Sequence, residues 1–156
     1  MNEICIVYDS PHKGNTEKLL LKIKEKYADT ALVKAADCTP EIFSRYDVLG
    51  FASGIYYGKF SPSVSAVFEQ AIKSDVKKLF FIYTSGAGRV RYENALRAKT
   101  EKSGKICLGI FSCKGFDTYG PFKLIGGLNK GRPNEEDFKD AIAFFENDIL
   151  AIDVNY

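Results

Sequence analysis

The sequence has few of the residues that hold metal ions or build disulfide frameworks. It contains a single histidine, and its four cysteines, at positions 5, 38, 107 and 113, form no C-x-x-C pair. A zinc site is therefore not expected. A chain of 156 residues is also long enough to fold around an apolar core without disulfide bonds. Cys5 and Cys107 lie inside apolar runs, where a thiol usually packs as a small hydrophobic side chain.

Long apolar stretches are missing as well. No run reaches the roughly 18 apolar residues of a membrane-spanning helix, so no membrane segment is expected. Residues 1–9 lack the basic start and extended apolar core of a secretory signal, and we expect a cytoplasmic protein. Hydrophobic residues make up 46% and charged residues 27% of the chain, as is typical of a soluble globular protein. Residues 1–156 are expected to form one domain.

Charge is distributed unevenly along the chain, although the net charge is only +2. Residues 85–132 hold ten basic and three acidic side chains, whereas residues 134–156 hold one basic and seven acidic. The basic block has two interpretations, a solvated surface or a docking face for an acidic partner or a phosphate-bearing ligand. No nucleic-acid-binding motif accompanies it, so binding to nucleic acid is not expected.

Short apolar runs alternate with helical periodicity from one end of the chain to the other. Ser61 and Pro62 mark the start of a helix whose apolar stripe includes Val64, Val67 and Phe68. The alternation predicts an α/β fold, in which a five-stranded parallel sheet is covered by helices on both faces as a three-layer sandwich. The predicted strands are residues 4–8, 31–36, 47–52, 79–84 and 106–112, and the predicted helices begin near residues 16, 41, 62, 91 and 135.

In such sheets, ligands bind beyond the carboxyl ends of the strands, where the direction of winding changes. The loop after strand 1 offers hydroxyl groups at Ser10 and Thr16, an amide at Asn15 and a flexible backbone at Gly14. These groups, with the free N–H groups of the helix that follows, predict a nest for a phosphate. The alternative is simple helix capping, but a cap needs one such residue and several converge here.

The segment Gly14-Asn15-Thr16 resembles the end of the phosphate-binding loop of flavodoxins, and Ser10 matches the early hydroxyl of that loop. The resemblance covers essentially the whole chain. It implies FMN as the cofactor and a flavodoxin-like sheet with strand order 2-1-3-4-5. His12 and Lys13 stand where the family usually has small hydroxyl residues, in a loop about one residue longer, as in a branch common in anaerobes. Lys13 is expected to neutralise part of the phosphate charge, and His12 is either a phosphate ligand or an exposed bystander.

The loop after strand 3 contains two adjacent tyrosines between glycines, in the run Ser53-Gly54-Ile55-Tyr56-Tyr57-Gly58. Aromatic rings stack on planar ligands, and because neighbouring side chains diverge, only one tyrosine is expected to stack on the flavin. The alternative is a turn with exposed aromatic side chains. The resemblance implies that a carbonyl of this loop contacts the flavin when it is reduced, and Gly54 and Gly58 are expected to ease the peptide rearrangement.

Two further loops complete the predicted FMN site. The run Thr84-Ser85-Gly86-Ala87-Gly88 is expected to donate N–H groups to the pyrimidine end of the flavin. It lacks the family's stacking aromatic residue, so one face of the ring is expected to be open. The loop after strand 5, which includes Cys113 and Gly115, is about 20 residues long, and loops of that length are usually functional.

Two functions fit this pattern, and a third shares its fold but lacks a required residue. The leading hypothesis is a flavodoxin-type carrier that shuttles single electrons between redox partner proteins and leaves the chemistry to FMN. The alternative is an FMN-dependent NAD(P)H or quinone reductase on the same fold, with the basic block attracting phosphates. A phosphorelay receiver would use Asp9, Thr84 and Lys114, but Ala52 and Ser53 occupy the place of its phosphoacceptor aspartate.

Overall fold

A five-stranded parallel sheet forms the centre of the protein. The computed structural model describes residues 2–10, 14–116 and 126–154. Its strands are β1 (Ile4–Asp9), β2 (Ala31–Lys34), β3 (Val48–Gly54), β4 (Lys78–Ser85) and β5 (Ile106–Lys114). They are parallel and lie in the order β2-β1-β3-β4-β5, which confirms the predicted flavodoxin-like topology.

Four of the strands run one or two residues farther than predicted at their carboxyl ends. β1, β3, β4 and β5 end at Asp9, Gly54, Ser85 and Lys114. The apolar pattern stops earlier because these last residues are polar or glycine. They nevertheless stay in the hydrogen-bonded ladder, so the sheet itself places them at its edge.

Among the described residues, five α-helices cover the sheet, namely α1 (Asn15–Lys26), α2 (Ile42–Arg45), α3 (Pro62–Ala71), α4 (Tyr92–Lys102) and α5 (Glu135–Phe144). The hydroxyl of Ser61 accepts a hydrogen bond from the N–H of Val64, which confirms the predicted cap of α3. Asn134 caps α5 in a reciprocal pair with Asp137. No helix among the described residues is long and apolar enough to cross a membrane.

Side chains of alternate residues along the strands fill two apolar layers. On one face, Phe51 and Phe81 pack with Val64 and Phe68 of α3 and Leu96 of α4. On the other face, Ile6 and Phe80 pack with α1 and α5. Both faces are therefore buried, and the loops at the edge of the sheet start from a rigid base.

The chain after α5 departs from regular helix. Residues Phe145–Ile149 form a wider π turn and Leu150–Val154 form a 3₁₀ turn. Phe145 and Ile149 are buried, and so is Phe144, the last residue of α5. The wider turn changes the angular spacing of the side chains, so both phenylalanines face the sheet.

Candidate cofactor-binding site

The loops predicted to form the site meet at the carboxyl edge of the sheet. The N–H of Ile55, after β3, donates to the carbonyl oxygen of Thr84 in β4 at 3.1 Å. The N–H of Gly115, after β5, donates to the carbonyl oxygen of Ser85 at 3.2 Å. The loops after β3, β4 and β5 are thus bonded to one another where each strand ends.

Four buried residues form the base of this edge, which we call the floor: Asn15, Thr16, Thr84 and Gly115. The hydroxyl oxygens of Thr16 and Thr84 lie 3.0 Å apart and join α1 to β4. A Cβ atom on Gly115 would lie 2.9 Å from Nδ2 of Asn15 and 3.2 Å from Cβ of Thr84. Only glycine therefore lets the end of β5 close against α1 without displacing a neighbour.

Asn15 leaves one polar atom of the floor unpaired. Its Nδ2 donates to the carbonyl oxygen of Phe116 at 2.8 Å. Its Oδ1 is buried and has no hydrogen-bond partner among the described residues. An unpaired buried acceptor costs about 1–3 kcal/mol. A hydroxyl donor, such as a sugar-alcohol chain carries, would satisfy it.

The N-terminus of α1 offers donors to an anion. Gly14 has the left-handed backbone conformation, with a φ of 63°, and the hydroxyl of Ser10 accepts the N–H of Glu17 at 3.2 Å. The N–H groups of Asn15 and Thr16 belong to the first turn and have no carbonyl acceptor inside the helix. They form the base of the predicted phosphate nest. The predicted ligands His12 and Lys13 lie outside the described residues.

Ser53 joins the two ends of the loop between β3 and α3. Its hydroxyl donates to the carbonyl oxygen of Gly54 at 2.6 Å and accepts the N–H of Ser61 at 3.0 Å. The side chain is completely buried. The hydroxyl of Ser53 therefore joins the start of the loop to its end.

The two tyrosines of this loop form a tight hairpin. The backbone N–H and carbonyl groups of Tyr56 and Lys59 bond reciprocally, at 2.7 and 3.1 Å. Tyr57 and Gly58 between them have φ angles of 52° and 80°, as in a type I′ turn. The hydroxyl of Tyr56 lies 3.0 Å from where a Cβ of Gly54 would be, whereas Tyr57 is 99% exposed. The rings diverge as expected.

A cleft of about 530 Å³ lies beside this hairpin. Tyr56, Tyr57, Lys59 and Phe60 line it on the side of the loop, and Asp9 lines it on the side of β1. The carboxylate of Asp9 accepts the hydroxyl of Ser63 at 2.9 Å, which holds the end of β1 against the first turn of α3. The cleft therefore has one aromatic wall and one acidic wall.

Buried polar contacts fix the loop between β4 and α4. The hydroxyl and carbonyl oxygens of Ser85 accept the N–H groups of Ala87 and Gly88, at 3.1 and 3.2 Å. Nδ2 of Asn129 donates to the carbonyl oxygen of Gly86 at 2.8 Å, so the segment before α5 closes over this turn. The run Ser85–Gly88 is thus a fixed turn at the edge of the sheet.

A known protein is similar in sequence to most of this chain. No protein-family model matches the chain. An uncharacterized protein of Methanocaldococcus jannaschii is 40% identical over 141 residues, which are 89% of this chain and 93% of that protein. The chain and this M. jannaschii protein therefore belong to one family.

Solved structures share the flavodoxin-like fold at low identity. The flavodoxin of Megasphaera elsdenii has a TM-score of 0.61 at 21% identity, over 90% of this chain and 98% of its own. A Streptococcus pneumoniae flavodoxin has a TM-score of 0.69 at 12% identity, over 96% and 99%. The rubredoxin:oxygen oxidoreductase of Desulfovibrio gigas has a TM-score of 0.70 at 14% identity. The match includes 97% of this chain but only 36% of that protein.

This flavodoxin-like protein departs from expectation in the tyrosine turn. Gly58 was expected to ease a rearrangement of the peptide, but it occupies the second central position of a type I′ turn. Flipping the central peptide would produce a type II′ turn, which takes glycine at the first central position. Tyr57 stands there, so the sequence opposes the flip that Gly58 was expected to permit.

Sequence reasoning missed the contacts beneath the loop after β4. The hydroxyl of buried Tyr83 donates to a carboxylate oxygen of Glu93 at 2.7 Å and accepts the N–H of Val90 at 3.0 Å. Arg89 lies 3.1 Å from the other oxygen of Glu93. Burial, together with Glu93, raises the pKa of Tyr83. Tyr83 lies in an apolar run, and this concealed its polar role.

Cys113, expected near the flavin, packs in the apolar layer beneath α1 and α5. Burial, reinforced by Asp137, raises the pKa of its thiol to about 12, so the thiol is protonated at neutral pH. Among the described residues, no cluster of three or more His, Cys, Asp or Glu side chains is arranged to hold a metal ion.

Proposed function

We propose that this protein binds FMN at the carboxyl edge of its sheet and carries single electrons between redox proteins. The observation that supports this most directly is the junction of β1 and α1. There a helix N-terminus with free donors lies beside Asn15, whose buried Oδ1 lacks a partner among the described residues. A phosphate joined to a polyhydroxyl chain matches both features, and FMN has that combination.

The residues around the edge suit the successive parts of FMN. The nest at α1 would hold the phosphate, and Oδ1 of Asn15 would accept a ribityl hydroxyl. The loops after β3 and β4 would flank the ring system, with Tyr56 or Tyr57 against one face. FMN supplies the redox chemistry when bound, and the protein positions it. The proposed cofactor residues are Ser10, His12, Lys13, Gly14, Asn15, Thr16, Ser53, Gly54, Ile55, Tyr56, Tyr57, Gly58, Thr84, Ser85, Gly86, Ala87, Gly88, Cys113 and Gly115.

The contacts of the floor give several of these residues a definite task. The hydroxyls of Thr16 and Thr84 bond to each other, so Thr16 would serve FMN through its backbone N–H. Gly115 would admit Asn15 to the site by its lack of a side chain. Ser53 would act on the loop that carries the tyrosines, and Cys113 would support the floor from below.

As a carrier, this protein would be cytoplasmic and consist of one domain. It would dock its partners through the basic region 85–132. An FMN-dependent NAD(P)H or quinone reductase is the second candidate. Two observations favour the reductase: the ring of Tyr57 is exposed, and so are the side chains of Arg89 and Arg91. They leave one side of the edge open and positively charged, where the phosphates of NAD(P)H would be attracted. The two candidates share the cofactor and differ in how electrons arrive.

Titration of the FMN-free protein with FMN, followed by quenching of flavin fluorescence, tests the shared part. We expect Asn15→Ala to weaken FMN binding about tenfold, which corresponds to about 1.4 kcal/mol. Asn94→Ala, on the exposed face of α4, is the matched control and should leave affinity unchanged. A wild-type protein that takes up no FMN would refute the proposal.

Potentiometric titration of the FMN-loaded protein separates the two candidates. The carrier is expected to show two resolved one-electron steps and no steady oxidation of NAD(P)H. A single two-electron step with sustained NAD(P)H oxidation in the presence of a quinone would favour the reductase instead.

A further inference from the structure

In their described residues, the loops after β3, β4 and β5 carry basic side chains and no acidic ones. Residues 54–61, 86–91, 114–116 and 126–134 include six lysines and arginines and not one aspartate or glutamate. Five of the six are exposed, and we call them the basic rim: Lys59, Arg89, Arg91, Lys114 and Lys130. The sixth, Arg132, pairs with Asp137.

The structure separates this rim from the rest of the basic block in the sequence. Arg97, Lys99 and Lys102 lie on α4, where Lys99 pairs with Glu69. Lys105 is buried near the amino end of β5 and donates to the carbonyl oxygens of Ser74 and Val76. About half of the block therefore lies away from the site, while Lys59, which is outside the block, joins the rim.

Acidic residues near the same edge do not neutralise the rim. Glu93 is buried and engaged by Tyr83 and Arg89. Glu17, Glu135 and Glu136 lie in the first turns of α1 and α5, on the opposite face of the sheet from α4. Asp9, at the end of β1, lines the cleft beside Lys59, but its carboxylate accepts the hydroxyl of Ser63. The described part of the edge is thus basic on the side of β3, β4 and β5, with Asp9 at its border.

We propose that the basic rim, together with Tyr57, docks an acidic surface on a small redox protein. The inference rests on the proposed function, since docking there would bring a partner's redox centre next to bound FMN. Exposed charges steer an oppositely charged protein into the encounter, and aromatic side chains are enriched at the centres of interfaces. The rim's cations come from separate loops on long side chains, which suits a broad protein surface better than a single phosphate.

Two triple variants test the surface. Lys59→Gln/Arg91→Gln/Lys130→Gln neutralises the rim, and Lys73→Gln/Lys77→Gln/Lys102→Gln removes the same charge from exposed lysines away from the edge. Arg89 is left in place because it pairs with buried Glu93. The probe is a reduced, acidic plant-type ferredoxin, and stopped-flow spectroscopy measures its electron transfer to the FMN-loaded protein. At low salt we expect the rim variant to react about tenfold more slowly and the control less than twofold.

A second measurement keeps the docking test independent of FMN. Calorimetry measures the affinity of oxidised ferredoxin for the protein without FMN. We expect the rim variant to lose more affinity than the control variant, and the affinity of the wild type to fall as salt is added. Equal losses in both variants, or rates that rise with salt, would overturn the docking surface. So would a rim variant that loses NADPH binding but keeps ferredoxin binding. Failure to take up FMN would refute the proposed function alone, because the calorimetric result would still stand.

Discussion

The floor and the rim of the candidate site use polar residues in opposite ways. In the floor, Asn15, Thr16 and Thr84 are buried and held by one another or by neighbouring backbone. Around the floor, Tyr57 and the cations of the basic rim extend into solvent. Buried polar groups are costly unless paired, so the floor has one arrangement, whereas the rim is free to adapt to a partner. Affinity for a cofactor should therefore depend on the floor, and choice of partner on the rim.

The largest effect is expected where the floor closes. In Gly115→Ala the new Cβ would force Asn15 from its hydrogen bond to Phe116, and such overpacking costs about 1–3 kcal/mol. Gly109→Ala is the control. Gly109 lies within β5, away from the carboxyl edge, and its new Cβ would lie 2.8 Å from the ring of Phe144. Urea unfolding should show similar losses for both variants. FMN affinity should fall only in Gly115→Ala, and an equal fall in both would contradict the role of the floor.

The next effect concerns the ion pair between Arg132 and Asp137, which joins the segment before α5 to that helix. Burial opposes ionisation of Asp137, but two hydrogen bonds from Arg132 and one from the N–H of Asn134 outweigh it, and the pKa of this carboxyl is lowered. A lowered folded-state pKa adds stability above the unfolded-state pKa, and this stability is lost as pH falls through the folded-state value. Asp137→Asn should therefore cost about 2 kcal/mol at neutral pH and less in acid.

Urea unfolding at neutral and acid pH measures this difference. Asp140→Asn, at an exposed position on the same helix, is the control and should be nearly neutral. A difference between wild type and Asp137→Asn that does not shrink in acid would mean that the contribution of Asp137 does not depend on its charge.

A smaller effect is expected from the hydroxyl pair of the floor. Thr84→Val leaves the buried hydroxyl of Thr16 without its partner and should cost about 1–2 kcal/mol. Thr16→Val/Thr84→Val removes both hydroxyls and should recover most of that loss, together with FMN affinity. A double variant whose two losses simply add would show that each hydroxyl has a further partner, such as the phosphate.

The sequence predicted the sheet better than the tasks of its polar residues. Apolar periodicity reports burial, so the strands, the cap of α3 and the edge of the sheet followed from residues such as Val64 and Ser61. The same periodicity gives no sign of the π turn that follows α5. In a sequence, a hydroxyl residue at the ligand-binding edge of the sheet looks the same whether it binds a ligand or another side chain. Only the fold showed that Thr16 faces Thr84 and that Tyr83 reaches Glu93.

The smallest change in stability is expected at Tyr57. Variants at this position distinguish the effect of the turn's backbone from the effect of the tyrosine ring. Tyr57→Ala and Tyr57→Gly should both stay within about 0.5 kcal/mol of wild type, because the ring is almost fully exposed. Only glycine at this position admits the type II′ turn that a peptide flip would produce. We predict from the sequence that a carbonyl of this turn contacts the reduced cofactor, and Tyr57→Gly tests that prediction. Tyr57→Gly alone should then make the first midpoint potential more positive, whereas equal shifts in both variants would trace the effect to the ring.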